Sequence, residues 1–247
     1  MRVTVITAVL NARQDLIRTR QSVLKQRDVD VQHVVIDGGS TDGTAELLSD
    51  WSADKALSFN SEPDSGVYAA FNKGLKLADG ELIGFLNAGD VYHDENVLSD
   101  VVAALSGPQV DLVFGSIDIT RRGSVDAVVR RYGANGFSPE QLVSGFMPPH
   151  PSIYAKRCVY DAVGKFSEGF RIAGDFEWSI RAFLKLGVSF RHVDRVFVRM
   201  PAGGLSNQGF SSVFRNTAEM HKALSEHELP ASWLKLAMRL PRKWLLS

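Results

Sequence analysis

Through its first 115 residues the chain alternates short apolar runs with amphipathic stretches, and that alternation restricts it to a layered α/β architecture. Residues 3–9 are rich in Val, Ile and Thr and read as a strand. Residues 12–26 read as a helix, with Leu16, Val23 and Leu24 near helical spacing. Strand-like runs recur at 31–37, 57–60, 82–86 and 111–115, and helical stretches at 44–50, 67–77 and 97–105. The strand runs are nearly unbroken apolar sequence, as parallel strands covered on both faces require. Beyond residue 115 the pattern loosens. A hairpin is predicted over 116–131, turning at Arg121-Arg122-Gly123, and residues 133–151 are punctuated by Gly133, Gly136, Gly145 and Pro148-Pro149. A strand at 152–155, a helix at 174–186, a β segment at 190–199 and a Gly-rich stretch at 201–209 precede a helical remainder. With no repeats and no clean linker, the expectation is one domain over 1–228, in halves 1–115 and 116–228, followed by a tail at 229–247.

Composition narrows the functional classes. Lys and Arg together number 28 and so do Asp and Glu, so no whole-molecule attraction to nucleic acid is expected. The one cysteine, Cys158, excludes an internal disulfide framework and a Cys-rich zinc site. It suits a reducing compartment and reads as a buried structural thiol. No basic leader precedes residues 3–7, and no apolar run approaches the roughly 20 residues of a membrane span. A cytoplasmic protein is the expectation.

Polar residues gather just after the strands: Thr7 and Asn11, then residues 37–42, 62–66 and 87–90. Open α/β sheets bind ligands outside the carboxyl ends of their strands. Any one of these loops reads equally as a turn or a cap, and Asp42 reads as a cap. Four in register would face one crevice.

These segments carry a resemblance. V-V-I-D-G-G-S-T-D-G-T (Val34 to Thr44) resembles the signature of family 2 glycosyltransferases of the GT-A fold. Thr4 to Ala12 and Ser22 to Gln26 are similar to the start of that family. Ser61 to Gly74, F-L-N-A-G-D (Phe85 to Asp90), A-G-D-F-E-W (Ala173 to Trp178) and G-G-L-S (Gly203 to Ser206) follow in the family's order. The likeness runs from about residue 3 to 206 and points to enzymes of bacterial polysaccharide and glycolipid assembly. It implies a GT-A-like α/β domain with a mostly parallel sheet. It also implies inverting transfer of a sugar from a UDP-, GDP- or dTDP-linked donor to a hydroxyl of a glycan or lipid-linked acceptor.

The resemblance also implies roles. Thr7, Ala8 and Asn11 would line the nucleoside pocket, and Asp37 would accept a hydrogen bond from the base. Asp64 and Gly66 would lie beside the nucleotide, with Asn72 and Lys73 on the next helix. Lys73 reads as a phosphate contact or a solvated lysine. Asp90 would hold a divalent cation, Mn²⁺ or Mg²⁺, that neutralises the departing diphosphate, and Asn87 stands where relatives often carry an acid. Asp175 is the candidate general base, with a helix N-cap as the competing reading. Glu177 ranks second. Trp178 would form a sugar-stacking wall or sit in the core. His150 would meet diphosphate or acceptor, or brace its Pro-rich loop. Gly203, Gly204 and Ser206 would form a lid over the donor or a plain loop.

After Glu228 no acid occurs, while Lys235, Arg239, Arg242 and Lys243 lie among Trp233, Trp244 and several leucines. Such a tail reads as an element lying on the inner face of the cell membrane, or as a helix packed on the domain or on a second subunit of a homodimer. Two rival functions remain. A nucleotidyltransferase would show a basic Gly-rich loop where Ala8-Val9-Leu10-Asn11 stands. A non-catalytic sugar-nucleotide or glycan-binding module would explain Asn87, Ala69 and Gly174 in place of acids.

Overall fold

The computed structural model describes residues 1–121, 123–124, 126–203 and 210–238. The first strand, β1 (Arg2–Val9), pairs in parallel with β2 (Asp30–Asp37), and β2 pairs in parallel with β3 (Leu57–Ser61). Three helices, α1 (Arg13–Leu24), α2 (Thr44–Asp50) and α3 (Val67–Leu77), make the crossovers, and α3 leads to β4 (Leu82–Phe85), which pairs in parallel with the other side of β1. Parallel pairing puts the carboxyl ends of all four strands at one edge.

The second half extends the same sheet. A two-residue strand, β5 (Val91–Tyr92), and α4 (Val97–Leu105) lead to β6 (Leu112–Thr120), which forms a hairpin with β7 (Val128–Tyr132). The predicted 111–115 strand and the first arm of the predicted hairpin are thus one strand. Next comes β8 (Tyr154–Lys156), inserted antiparallel between β4 and β6. It runs into α5 (Arg157–Val163), a seven-residue helix too short for its periodicity to register in the sequence. Helix α6 (Gly174–Ser179) continues as a π-helical turn over Ile180–Lys185. Then β9 (Phe190–Pro201) pairs in parallel with β6 and antiparallel with β5, and α7 (Phe210–Glu226) follows. Among the described residues nine strands form one sheet, in the order β3-β2-β1-β4-β8-β6-β9-β5 with β7 beside β6.

Alternation along β1 divides the core. Ile6 joins Phe71, Phe85, Tyr160 and Trp178 on one face of the sheet. Val3 and Val5 join Val97, Val101 and Phe197 on the other. Cys158 corrects the expectation of a buried thiol: it is exposed on α5.

Candidate active site

The carboxyl ends of β1, β2 and β4, and the loop after β3, open onto one crevice of about 1500 Å³. Ala8, Gly38, Asp64, Gly66, Asn87 and Asp90 line it from this side. His150, Asp175, Gly203 and one flank of α7 line it from the other. Gly66 has φ 150° and ψ 177°, backbone that is essentially reserved for glycine, and it turns the loop into α3. Gly204 and Ser206 lie outside the described residues.

Several expected contact residues have their side chains engaged within the protein. Thr7 is fully buried; its hydroxyl donates to the Leu86 carbonyl at 2.6 Å and faces His33 Nε2 at 2.9 Å. His33 Nδ1 faces Arg20 Nη1 at 3.0 Å, and Arg20 pairs with Asp54. Burial, and then the Arg20 charge, pulls His33 down to about 3, so its imidazole is neutral. It donates from Nε2 to Thr7 and accepts from Arg20 at Nδ1. Asp37 is also covered: its carboxylate accepts the Ser61 hydroxyl at 2.6 Å and the Ser40 N–H and hydroxyl. Asn11, at φ 50°, accepts the Thr41 N–H at 2.8 Å through its side-chain oxygen and donates its own N–H to Ser40 Oγ at 2.7 Å. The side chains of Thr7, Asn11 and Asp37 therefore fasten the segments at the ends of β1 and β2; Thr7 and Asp37 are buried, and Asn11 is exposed.

Four more residues sit away from the crevice. Asn72 clamps α3 to the loop before α6, donating to the Phe166 carbonyl and accepting the Phe166 N–H, both at 2.9 Å. Lys73 pairs with Asp64 and Glu62 beside a smaller cavity of about 270 Å³. Trp178 stacks on Tyr160 at 5.0 Å and Phe166 at 5.7 Å, which makes it a core residue and removes the stacking-wall expectation. Glu177 is buried and binds Arg181 in a two-pronged pair at 2.8 Å, with His227 at 2.8 Å, so it ties α6 to the end of α7.

Asp175 lies inside the first turn of α6, whose cap position is Ala173, so the N-cap reading is corrected. Its Oδ1 accepts the Phe176 N–H at 2.8 Å and lies 3.3 Å from the Tyr68 hydroxyl, whose proton is shared between Asp175 and the Ile172 carbonyl. Burial and then the Asp175 charge push the Tyr68 phenol well above its ordinary value, so it stays protonated. From α7, Glu219 Oε2 accepts the N–H groups of Arg171, Ile172 and Ala173 at 3.1, 2.7 and 2.9 Å. One carboxylate thus satisfies the backbone that leads into α6. His150 is packed against Phe71 and Phe85, with ring centroids at 5.6 and 5.3 Å. Burial holds its pKa below the usual value despite the opposing Asp175 charge, so a neutral imidazole faces the crevice.

Asp90 forms the other end. It is 6% exposed, and among the described residues no Lys or Arg pairs with it. Burial, then the like charge of Asp15, pushes its carboxyl up to about 8. Asp15 comes from α1 and lies against Gly89, with its Cγ 3.6 Å from where a Gly89 Cβ would stand. It pairs with Arg18, and both line the crevice. Asn87 Oδ1 is buried without a hydrogen-bond partner. Among the described residues no three His, Cys, Asp or Glu side chains gather as a metal cage. Two carboxylates and an orphaned amide oxygen nevertheless fit a hard divalent cation that takes its remaining ligands from phosphate and water. Sequence reasoning passed over Asp15, Arg18 and Glu219: an acid in a helical first turn and a charge on a late helix are too common to mark a site.

Known proteins resemble this chain in sequence and in fold. The profile of Glycosyl transferase family 2 matches residues 4–159. A PGL/p-HBAD biosynthesis glycosyltransferase of Mycobacterium bovis (strain BCG / Pasteur 1173P2) is 27% identical over 245 residues, 98% of this chain and 90% of the relative. The fold matches S. aureus TarS 1-349 in complex with UDP-GlcNAc at TM-score 0.70 and 16% identity. It matches the mannosyltransferase PcManGT from Pyrobaculum calidifontis, in complex with GDP-Man and Mn²⁺, at 0.65 and 18%. Each match covers 91% of this chain, which spans 66% and 63% of those solved chains; at such identities the likeness is one of fold.

Proposed function

The chain belongs to glycosyltransferase family 2, and on that premise we propose that it moves a sugar, with inversion, from a nucleoside-diphosphate donor to a hydroxyl of a glycan or lipid-linked acceptor. The observation that carries this reading is that Asp90 and Asp175, 85 positions apart in sequence, open onto the same crevice. A UDP, GDP or dTDP moiety would lie over Ala8, Gly38, Asp64 and Gly66. Asp175 would take the proton of the acceptor hydroxyl. The freed oxygen pair then bonds to the anomeric carbon from the face opposite the diphosphate, and the carbon–oxygen bond to the diphosphate breaks with its pair going to the leaving group.

The chain's own groups suit that task. The Phe176 N–H at 2.8 Å and the Tyr68 hydroxyl at 3.3 Å set the direction of the Asp175 carboxyl group, and the Glu219 clasp fixes the turn that carries it. Neutral His150 offers a hydrogen bond without adding charge. Asp90, helped by Asp15 and Asn87, would hold a divalent cation, which when bound neutralises the diphosphate charge. Arg171 and Arg215 on the far wall would face the same anion.

Asp175→Asn is the decisive variant. Sugar transfer is expected to fall by about 10²–10⁴-fold, the usual worth of a general base, with donor affinity nearly unchanged. A binding module would lose nothing, and a variant with full turnover would overturn the assignment.

A further inference from the structure

Helix α7 presents three different flanks. Ser211, Arg215 and Asn216 line the crevice, while Met220, Ala223 and Leu224 lie in the core. Phe214 belongs to neither and faces outward. Trp233 stacks on Phe214 at 6.4 Å and on His221 at 4.5 Å, with the ring planes nearly parallel in both pairs. Residues 233–238 form a short helical stretch pinned to the main core by fully buried Leu236. Trp233, Leu234 and Met238 of this stretch face outward, 48, 71 and 56% exposed, as does Phe214 of α7 at 70%. Single exposed apolar residues need no explanation, but a stacked aromatic pair beside two long apolar side chains marks a contact surface.

Charge identifies the occupant. From Leu229 to the end the chain carries Lys235, Arg239, Arg242 and Lys243 and no acid. A second copy of the chain would bring the same positive charge to a self-contact. An anionic phospholipid surface supplies the opposite charge together with an interfacial layer that takes up Trp and Phe. We propose that Phe214, Trp233, Leu234 and Met238 are a docking face for an anionic membrane surface. Because α7 also walls the crevice, docking there brings the acceptor side of the cavity to the lipid boundary. That corollary deepens the lipid-linked acceptor reading and rests on it; the docking face itself does not.

Vesicle flotation of the full chain tests the proposal. The chain is expected to float with phosphatidylglycerol-rich vesicles, to stay behind with pure phosphatidylcholine, and to dissociate as salt rises. Leu234→Glu and Phe214→Glu are each expected to lower partitioning about ten-fold or more while leaving the unfolding midpoint unchanged. Asp175→Asn is expected to float like the parent, which separates this surface from the transfer chemistry. Absence of flotation with anionic vesicles, or equal flotation of both Glu variants, overturns the proposal. So does a dimer that Leu234→Glu dissociates, since the face would then belong to a second copy.

Discussion

Gly174 and Tyr68 share one volume: a Cβ on Gly174 would stand 2.7 Å from the Tyr68 ring. The missing acid before Asp175 is therefore a packing requirement of this chain, because the phenol that hydrogen-bonds Asp175 occupies the space a side chain would need. Gly174→Ala is expected to cost about 1–3 kcal/mol of stability by overpacking. Tyr68→Ala should relieve part of that loss, so a double-mutant cycle by urea unfolding is expected to be non-additive. Additive losses would show that the ring moves aside freely.

Glu219 supports Asp175 from α7. Glu219→Ala leaves three backbone N–H groups without their acceptor and is expected to cost about 1–3 kcal/mol. Turnover should fall while donor affinity holds, because α6 loses its aim and the donor side is untouched. Glu219→Gln keeps one oxygen acceptor and is expected to fall between the parent and Ala in both stability and kcat.

The Asp90 end has its own test. Asp90→Asn is expected to weaken Mn²⁺ binding, in the presence of a nucleoside diphosphate, by about ten-fold or more, and Asp15→Asn to weaken it less. Titration calorimetry reads this without turnover. Unchanged affinity in both variants would remove the cation from this end of the crevice.

His33 sets a pH dependence. Its folded value is about 3 against an ordinary 6.5, so between those values the unfolded chain binds a proton that the folded chain refuses. Stability is therefore expected to be complete above pH 6.5 and to fall as pH drops below it, at up to about 1.4 kcal/mol per pH unit from this group. His150, also held low by burial, adds a slope of the same sign. His33→Gln is expected to flatten the fall between about pH 5 and 7 without abolishing it, as read by denaturant unfolding. An unchanged slope would mean that His33 titrates normally.

Much of the frame around the crevice is legible in the sequence. The run from Asp37 to Thr44 marks a strand, a glycine turn and a helix start within eight residues, so its place at a sheet edge follows from local rules alone. Asp90 and Asp175 are singled out by the resemblance of their motifs to the family, and both line the one crevice. The inward turn of Trp178 is not legible in the sequence. Spacing of three from Asp175 is compatible with a shared face, and only the rings of Tyr160 and Phe166 decide that it points inward. Asp37 and Thr7 stand at the carboxyl ends of β2 and β1, but that both side chains are buried depends on partners such as Ser61 and His33 from other strands.

Periodicity and the right-handed parallel crossover thus settle what this chain builds: a sheet whose polar loops gather along one edge, in an order visible from Val3 to Asp90. Those are short-range properties, carried by neighbours a few residues apart. Which side chains reach the cavity and which fasten the surrounding segments belongs to the folded state alone. That choice depends on contacts such as Asn72 with Phe166 and Tyr68 with Asp175, 94 and 107 positions apart. It also explains Asp15, an ordinary first-turn acid in sequence that becomes a partner of Asp90 only once α1 packs against the loop after β4.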